Sequence, residues 1–384
     1  MTLAWIVFAL SLAVLFYVLL GYPALLALFS SRRKLPRAPE ALAGDPRAWP
    51  SVSILLPVRD GGKWLDRKLE SIFALDYPAD RMQVIVISDG STDRTDEIAL
   101  SFAGVELVRV ALGGKAMALN AGLARASGDL LFFTDVRQRL DRAALKQLAR
   151  RFDDPAVGVA SGELFIGEGG RTEQASVGLY WRYEKWIRKH HSEIDSVLGA
   201  TGCIYMMRRS LAIPLPPATL NDDMHFPFQA FFRGYRLLFV EEARAYDDPT
   251  ALDAEFRRKV RTLAGVYQLL GAFPALLSPG NRMWIHFLSH KVGRLVLPFA
   301  LLAVFFSSFF LGAPWSQAAL AAQALFYGLA LLDPLVPEGK AVKRVSSVVR
   351  TFVVLMAAAL AAATILFRPS SSFWGKPTGA THNA

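Results

Sequence analysis

Three short polar segments of this chain combine residue types able to do chemistry: Arg59-Asp60, Asp89-Gly90-Ser91-Thr92-Asp93 and Thr134-Asp135. Each offers a carboxylate, a hard oxygen ligand suited to Mg2+ or Mn2+ and to the hydroxyls of a ribose. Taken singly, each has a plainer reading, since Asp89-Gly90-Ser91 could be a turn with Ser91 or Thr92 capping the next helix. Three such segments in comparable places exceed what loop chemistry requires. A diphosphate nucleotide carrying a sugar needs acceptors for its base and ribose and a carboxylate for the cation on its diphosphate.

The places are comparable because each segment follows a short β-rich apolar run. Ser51–Pro57 precedes Arg59, Val84–Ser88 precedes Asp89, and Leu130–Phe133 precedes Thr134, with Val105–Val110 a further such run. Between them, helical spacing of apolar residues predicts helices over Lys63–Leu75, Thr92–Phe102 and Lys115–Ala126. This alternation predicts an α/β domain with a mostly parallel sheet and helices on both faces. In such sheets ligands bind beyond the carboxyl ends of the strands, where the three segments lie.

The remainder of the chain is apolar in blocks. Across 384 residues, 53% are hydrophobic, and the mean hydropathy is +0.30. Residues 1–30 contain no Asp, Glu, Lys or Arg, long enough for a membrane helix, and the basic Arg32, Arg33 and Lys34 follow the run rather than precede it as in a signal peptide. Leu295–Leu332 is again free of charge and is broken at Gly312-Ala313-Pro314, which predicts two spans. Thr351–Phe367, after Lys340, Lys343, Arg344 and Arg350, predicts a fourth. The Lys and Arg clusters place the middle of the chain in the cytoplasm, with both termini outside. The expected organisation is a transmembrane helix at 1–30, a linker at 31–50, a catalytic domain at 51–270, an interfacial region at 271–294, three spans at 295–367 and a tail at 368–384. Positive-inside topology accounts for much of the net charge of +10, so nucleic acid is not an expected partner; the lipid bilayer is. A single cysteine, Cys203, excludes an internal disulfide framework. His190 and His191 are read as polar surface residues with no metal.

The ordered set Pro57-Val58-Arg59-Asp60, Asp76-Tyr77-Pro78, Ser88–Asp93, Gly114-Lys115 with Asn120, Phe133-Thr134-Asp135, Gly199–Gly202, Asn221-Asp222-Asp223, Gly234-Tyr235-Arg236 and Glu255–Lys259 resembles the inverting family-two glycosyltransferases. The likeness is to the cellulose-synthase-like and hyaluronan-synthase-like membrane branch, over roughly residues 50–270. It implies a GT-A type, Rossmann-like domain bearing one N-terminal and about three C-terminal transmembrane helices. By this resemblance Asp60 and Asp89 hold the nucleotide, Lys115 lies close to the donor and Asp135 binds a divalent cation, Mg2+ or Mn2+, or the diphosphate. Asp223 falls where the family places its general base, with Asp222 the competing candidate. The alternative is that Asn221-Asp222 caps a helix over Met224–Arg233. Arg257, Arg258, Lys259 and Arg261 could stabilise the leaving diphosphate or lie on a membrane surface; Arg258 aligns with the arginine of the family's Gln-x-x-Arg-Trp motif.

Two departures shape the expected function. Glu255 and Lys259 replace the Gln and Trp of that motif, whose intact form accompanies processive synthesis. Arg137 replaces the second Asp of Asp-x-Asp, and could itself meet a phosphate. The expectation is a multi-pass inner or plasma membrane enzyme with a cytoplasmic catalytic domain. It would move a sugar from a nucleotide-sugar donor, with UDP-sugar favoured, to a glycan or polyprenyl-linked acceptor in polysaccharide or envelope synthesis. The alternatives are a processive polysaccharide synthase and a non-catalytic membrane scaffold or transporter subunit. The aromatic run Tyr180–Trp186 could bind an acceptor or pack near a membrane, and Asn281–Arg294 is expected as an interfacial helix.

Overall fold

The computed structural model describes residues 1–30, 49–167, 172–248 and 252–373. The basic cluster at 32–34, most of the expected linker and the end of the tail lie outside them. The chain forms two units, one of Met1–Leu25, Glu168–Tyr180 and Thr250–Ala384, the other of Leu26–Gly167 and Trp181–Pro249. The strands, in chain order, are β1 (Val52–Val58), β2 (Met82–Asp89), β3 (Val105–Val110), β4 (Leu130–Phe133), β5 (Arg139–Leu140), β6 (Val157–Ile166), β7 (Tyr205–Arg208) and β8 (Arg236–Asp247). The main helices are α1 (Thr2–Ser30), α2 (Gly62–Phe73), α3 (Thr95–Ser101), α4 (Lys115–Arg125), α5 (Ala144–Ala149), α6 (Thr172–Ile194), α7 (Asp222–Phe231), α8 (Leu252–Ala272), α9 (Trp284–Ser308), α10 (Trp315–Leu335) and α11 (Ala341–Leu366).

All eight strands join one sheet in the order β3-β2-β1-β4-β7-β6-β8-β5. β3, β2, β1 and β4 are parallel, as the strand–helix alternation predicts. The interiors of β2, β1 and β4 are continuous runs of buried Ile, Leu, Val and Phe because helices cover both faces, whereas β3, at the edge of the sheet, is only half-buried. Beyond β4 the direction changes, since β7 runs antiparallel to β4 and β6 antiparallel to β7, making a mixed sheet that is parallel over its β3-β2-β1-β4 half. Reversal at β7 sets Tyr205 opposite Phe133, so the segment leading into β7 and the segment leaving β4 meet at the same edge of the sheet.

Helix α2 shows how local pattern becomes packing. Leu65, Leu69 and Ile72 recur at helical spacing and are fully buried against β1 and its neighbours. Lys68 occupies the same stripe and is 1% exposed. On α6, His191 is likewise buried rather than on the surface as expected, because it lies one turn after the fully buried Ile187. His190 Nδ1 donates a 2.7 Å hydrogen bond to the Trp186 carbonyl, and its ring lies 4.1 Å from the Trp186 ring in a tilted arrangement.

In the other unit, α1, α9, α10 and α11 are, among the described residues, the four helices long and apolar enough to cross a membrane. Leu15 and Val18 of α1 pack with Leu297, Ala300 and Val304 of α9, and Tyr17 hydrogen bonds Ser289 at 2.7 Å. The expected interfacial stretch 281–294 is continuous with the following span in one helical run from Trp284 to Ser308. The last helix begins at Ala341, ten residues before the apolar run, because its basic residues have partners: buried Asp333 receives Lys343 at 3.2 Å, Ser346 at 2.6 Å, Ser347 at 2.9 Å and Arg350 at 3.4 Å.

Candidate active site

The loops after β1 and β2 are laced together by the polar residues that the sequence marks out. Asp60, in a left-handed conformation with φ of 47°, accepts hydrogen bonds from the Thr92 amide and hydroxyl at 2.8 and 3.2 Å. Asp93 accepts from the Gly62 amide at 2.8 Å and from the Thr95 amide at 3.0 Å. Helix α3 therefore starts without a side-chain cap from Ser91 or Thr92; Thr92 binds Asp60 instead.

Asp89 is buried and accepts from the backbone amides of Gly113 at 2.8 Å and Gly114 at 3.0 Å. Gly114, with φ of 83°, is the residue before α4, so Asp89 determines where Lys115, the first residue of that helix, is presented. A side chain at 114 would be strained by this φ whatever the space. Asp89→Asn should weaken charge-assisted bonds worth about 1.5 kcal/mol and lower the melting midpoint of the chain; thermal melting of both proteins checks this.

Lys115 is the hub. Its ammonium lies 2.9 Å from Asp135 Oδ1 and 3.1 Å from Asp222 Oδ1. Burial works against the charged amine, but Asp135, Asp222 and Asp223 overcome it and raise its pKa above the ordinary value. Asp135 is 39% exposed in its side chain and Asp222 9%, so the cluster presents Asp135 outward and keeps Asp222 within. Among the described residues the second oxygen of Asp222 is buried without a hydrogen-bond partner. The Tyr205 hydroxyl is likewise buried and, among the described residues, unpartnered, its pKa pushed well up by burial and then by the neighbouring Asp222, Asp223 and Asp135. It therefore stays a neutral hydroxyl, on a ring stacked 4.5 Å from Phe133.

Asp222 and Asp223 open α7, with Asn221 at the cap position but no side-chain cap hydrogen bond. The helix runs from Asp222 to Phe231, two residues ahead of its expected start. Asp223 is half-buried and rests on the segment before β7, where the Ala200 amide donates to the Asp223 carbonyl at 2.6 Å. Gly202 faces the Asp223 carboxylate so closely that a Cβ there would lie 3.2 Å from Oδ2. Gly199 has φ of 130°, and a Cβ on it would meet Met224 at 2.8 Å. Arg188 ties this shelf to the sheet by donating to the Gly199 carbonyl at 3.2 Å and Ser161 Oγ at 2.9 Å.

The structure thus brings together Lys115, Asp135, Asp222 and Asp223, with Asp89 and Asp60 on adjoining strand ends. Arg137 pairs with buried Asp247 at 2.5 Å, so its guanidinium already has a carboxylate partner. Arg257, Arg258 and Arg261 lie on α8 in the other unit. There Arg258 pairs with Glu255, and Lys259 lies 3.6 Å from Glu255 and donates to the Tyr180 hydroxyl at 2.9 Å. The two residues that depart from the Gln-x-x-Arg-Trp pattern therefore compensate one another. Sequence reasoning missed Lys68, Asp247, Arg188 and Tyr205; only Lys68 carried a readable signal, a cation on an apolar stripe.

Among the described residues no group of three or more His, Cys, Asp or Glu converges to hold a metal by itself. A cation carried on a diphosphate needs only one or two protein carboxylates beside phosphate oxygens and waters. The outward-facing Asp135 fits that need. Cys203 is buried, and burial followed by the charge of Asp135 pushes its thiol up to about 12, which removes it as a nucleophile.

Residues 53–214 match the model of glycosyl transferase family 2. An N-acetylglucosaminyltransferase of Rhizobium sp. (strain N33) is 27% identical over 319 residues, covering 76% of this chain and 70% of the relative. A poly-β-1,6-N-acetyl-D-glucosamine synthase of Staphylococcus aureus (strain COL) is 23% identical over 57% of this chain and 55% of its own length. Among solved structures, a mannosyltransferase of Pyrobaculum calidifontis in complex with GDP-Man and Mn2+ superposes with a TM-score of 0.73 at 22% identity, covering 94% of this chain and 99% of that one. The fold is therefore the GT-A-like one, a mixed, mostly parallel sheet flanked by helices.

Proposed function

Given that the chain is a glycosyltransferase carrying a family 2 domain at residues 53–214, we propose that it is a membrane-bound inverting enzyme. It would transfer a sugar from a nucleotide-sugar donor to a glycan or polyprenyl-linked acceptor in polysaccharide or cell-envelope synthesis. The observation that carries this reading is the cluster in which Lys115 bridges Asp135 and Asp222 beside Asp223. A cation beside an outward carboxylate suits a diphosphate, and a half-buried carboxylate at the start of α7 suits an acceptor hydroxyl, which supports this reading. The four apolar helices support membrane embedding, and the basic flanks support a cytoplasmic catalytic domain.

In the proposed reaction Asp60 and Asp89 flank the nucleotide, and Asp89 also holds the glycine amides that aim Lys115. Asp135 would hold the divalent cation, which when bound would supply positive charge to offset that of the leaving diphosphate. Lys115 adds a fixed charge at the same place, stabilising negative charge that grows as the glycosidic bond breaks. Asp223 takes the proton of the acceptor hydroxyl as its oxygen attacks the anomeric carbon, and the nucleoside diphosphate departs from the opposite face with its electron pair. One displacement inverts the centre and needs no covalent nucleophile, in keeping with the buried Cys203.

The test is nucleoside diphosphate release by the full chain in detergent, with UDP- and GDP-sugars and a lipid-linked acceptor, with and without Mg2+ or Mn2+. Acceptor-dependent release that EDTA abolishes is the expected result; release from no donor, or release indifferent to EDTA, would count against the donor and cation assignments respectively. Similarity to a poly-N-acetylglucosamine synthase favours a second reading, processive synthesis. Product length separates the two, because addition of one or a few sugars matches the altered Glu255 and Lys259 positions, whereas long polymers match the synthase.

A further inference from the structure

Lys68 is the most deeply buried cation of the catalytic unit, at 1% exposure, and among the described residues no carboxylate lies within ion-pairing distance of it. An unpaired buried ammonium costs several kcal/mol, and a Met or Leu would fill the same stripe of α2 at no such cost. What the ammonium makes instead are two short hydrogen bonds, each 2.6 Å, to Thr134 Oγ1 and to the Gln138 carbonyl. These are the two ends of the loop that displays Asp135. The Thr134 hydroxyl passes the connection on by donating to the Cys203 carbonyl at 2.8 Å, in the segment on which Asp223 rests. The far side of the same loop is held by Asp247, which accepts from Arg137 and from Gln138 at 2.8 Å.

We propose that Lys68 is a positioning residue for the cation–diphosphate site: it closes the Thr134–Gln138 loop from behind and, through Thr134, locks that loop to the Cys203 segment, so that Asp135 is pre-set before donor and cation arrive. The inference rests on Asp135 being the cation ligand proposed above. A loop carrying a single carboxylate cannot rely on a second protein ligand to orient it, so the orientation must come from the scaffold, and the ladder Lys68–Thr134–Cys203 is the scaffold's contact. Burial pulls the Lys68 pKa down to about 7, with Cys203 and Asp135 acting in the opposite sense. That marks how costly the ammonium is to keep and agrees with a role beyond packing.

The experiment uses the full chain in detergent and reads Mn2+ binding by electron paramagnetic resonance in the presence of UDP and, separately, GDP, with thermal melting alongside. Lys68→Met should weaken Mn2+ binding about tenfold, as loss of outer partners of a metal ligand does, with a melting midpoint equal to or above that of the unaltered chain. Unchanged Mn2+ affinity overturns the inference, as does a loss matched by a lowered melting midpoint, which marks a lysine serving stability alone. If Lys68→Met does not fold, Thr134→Val, which removes only the hydroxyl joining the two segments, is read in the same way. Asp135→Asn separates the premises: if it abolishes Mn2+ binding while Lys68→Met changes nothing, only the inference fails, and if it leaves binding intact, the cation assignment falls and the inference with it.

Discussion

Asp223→Asn is expected to cut sugar transfer by about 10³-fold, within the range that removal of a general base produces, while leaving nucleotide affinity nearly unchanged. Asparagine keeps the shape of the side chain and the start of α7, so donor loops and shelf should stay in place; it removes only the capacity to accept a proton. The neighbouring Asp222→Asn is the informative comparison. Asp222 is buried with one oxygen 3.1 Å from Lys115, whereas Asp223 is half-buried and so within reach of an acceptor. Asp222→Asn should therefore act mainly on donor KM and Asp223→Asn on kcat. Single-turnover transfer together with nucleotide titration distinguishes them, and the reverse pattern would exchange the two roles.

Lys115→Met should be the most damaging change to both folding and donor binding. It leaves Asp135 and Asp222 facing one another without their shared cation, and breaking a buried pair by removing one partner costs about 3 kcal/mol, toward the low end because Asp135 is 39% exposed. The pH dependence follows from the direction of the shift. The Lys115 pKa is raised above its ordinary 10.5, so its contribution is complete at every pH below that value and is lost only as pH climbs through the folded pKa. The deficit of the variant should accordingly hold across the neutral range. Melting of both proteins at several pH values, with kcat/KM for the donor, checks this; a deficit that vanishes at neutral pH would show that Lys115 is not charged in the folded chain. Lys115→Arg should recover part of the stability but less of the activity, because a planar guanidinium cannot sit equally between the two carboxylates.

Much of the site could be read before any coordinates, for a physical reason. In parallel strands the carboxyl ends converge on one edge, so Asp60, Asp89 and Asp135 could be grouped from strand pattern alone. The same pattern could not show what each carboxylate touches. Asp89 meets two glycine amides, Asp60 meets Thr92, and Arg137, a candidate for phosphate, already pairs with Asp247 from the far end of β8, 110 positions away. Separations of that kind leave no local periodicity. His191 was misplaced for a related reason: one polar residue does not reveal which face of a long helix is inward, and that is decided by where Ile187 packs.

What the sequence determined by itself was the alternation of strands and helices, the apolar runs, and the residue types waiting at the strand ends. These depend on near neighbours, on β-branched runs, helical stripes and charge-free stretches. Only the tertiary structure decided that the carboxylates share a lysine, that β7 reverses to bring the Gly199–Cys203 segment beneath Asp223, and that a lysine on an apolar stripe hydrogen bonds both ends of the loop carrying Asp135. Each of these is a contact between segments remote in the chain, set by sheet order and packing, and no spacing along the sequence encodes it.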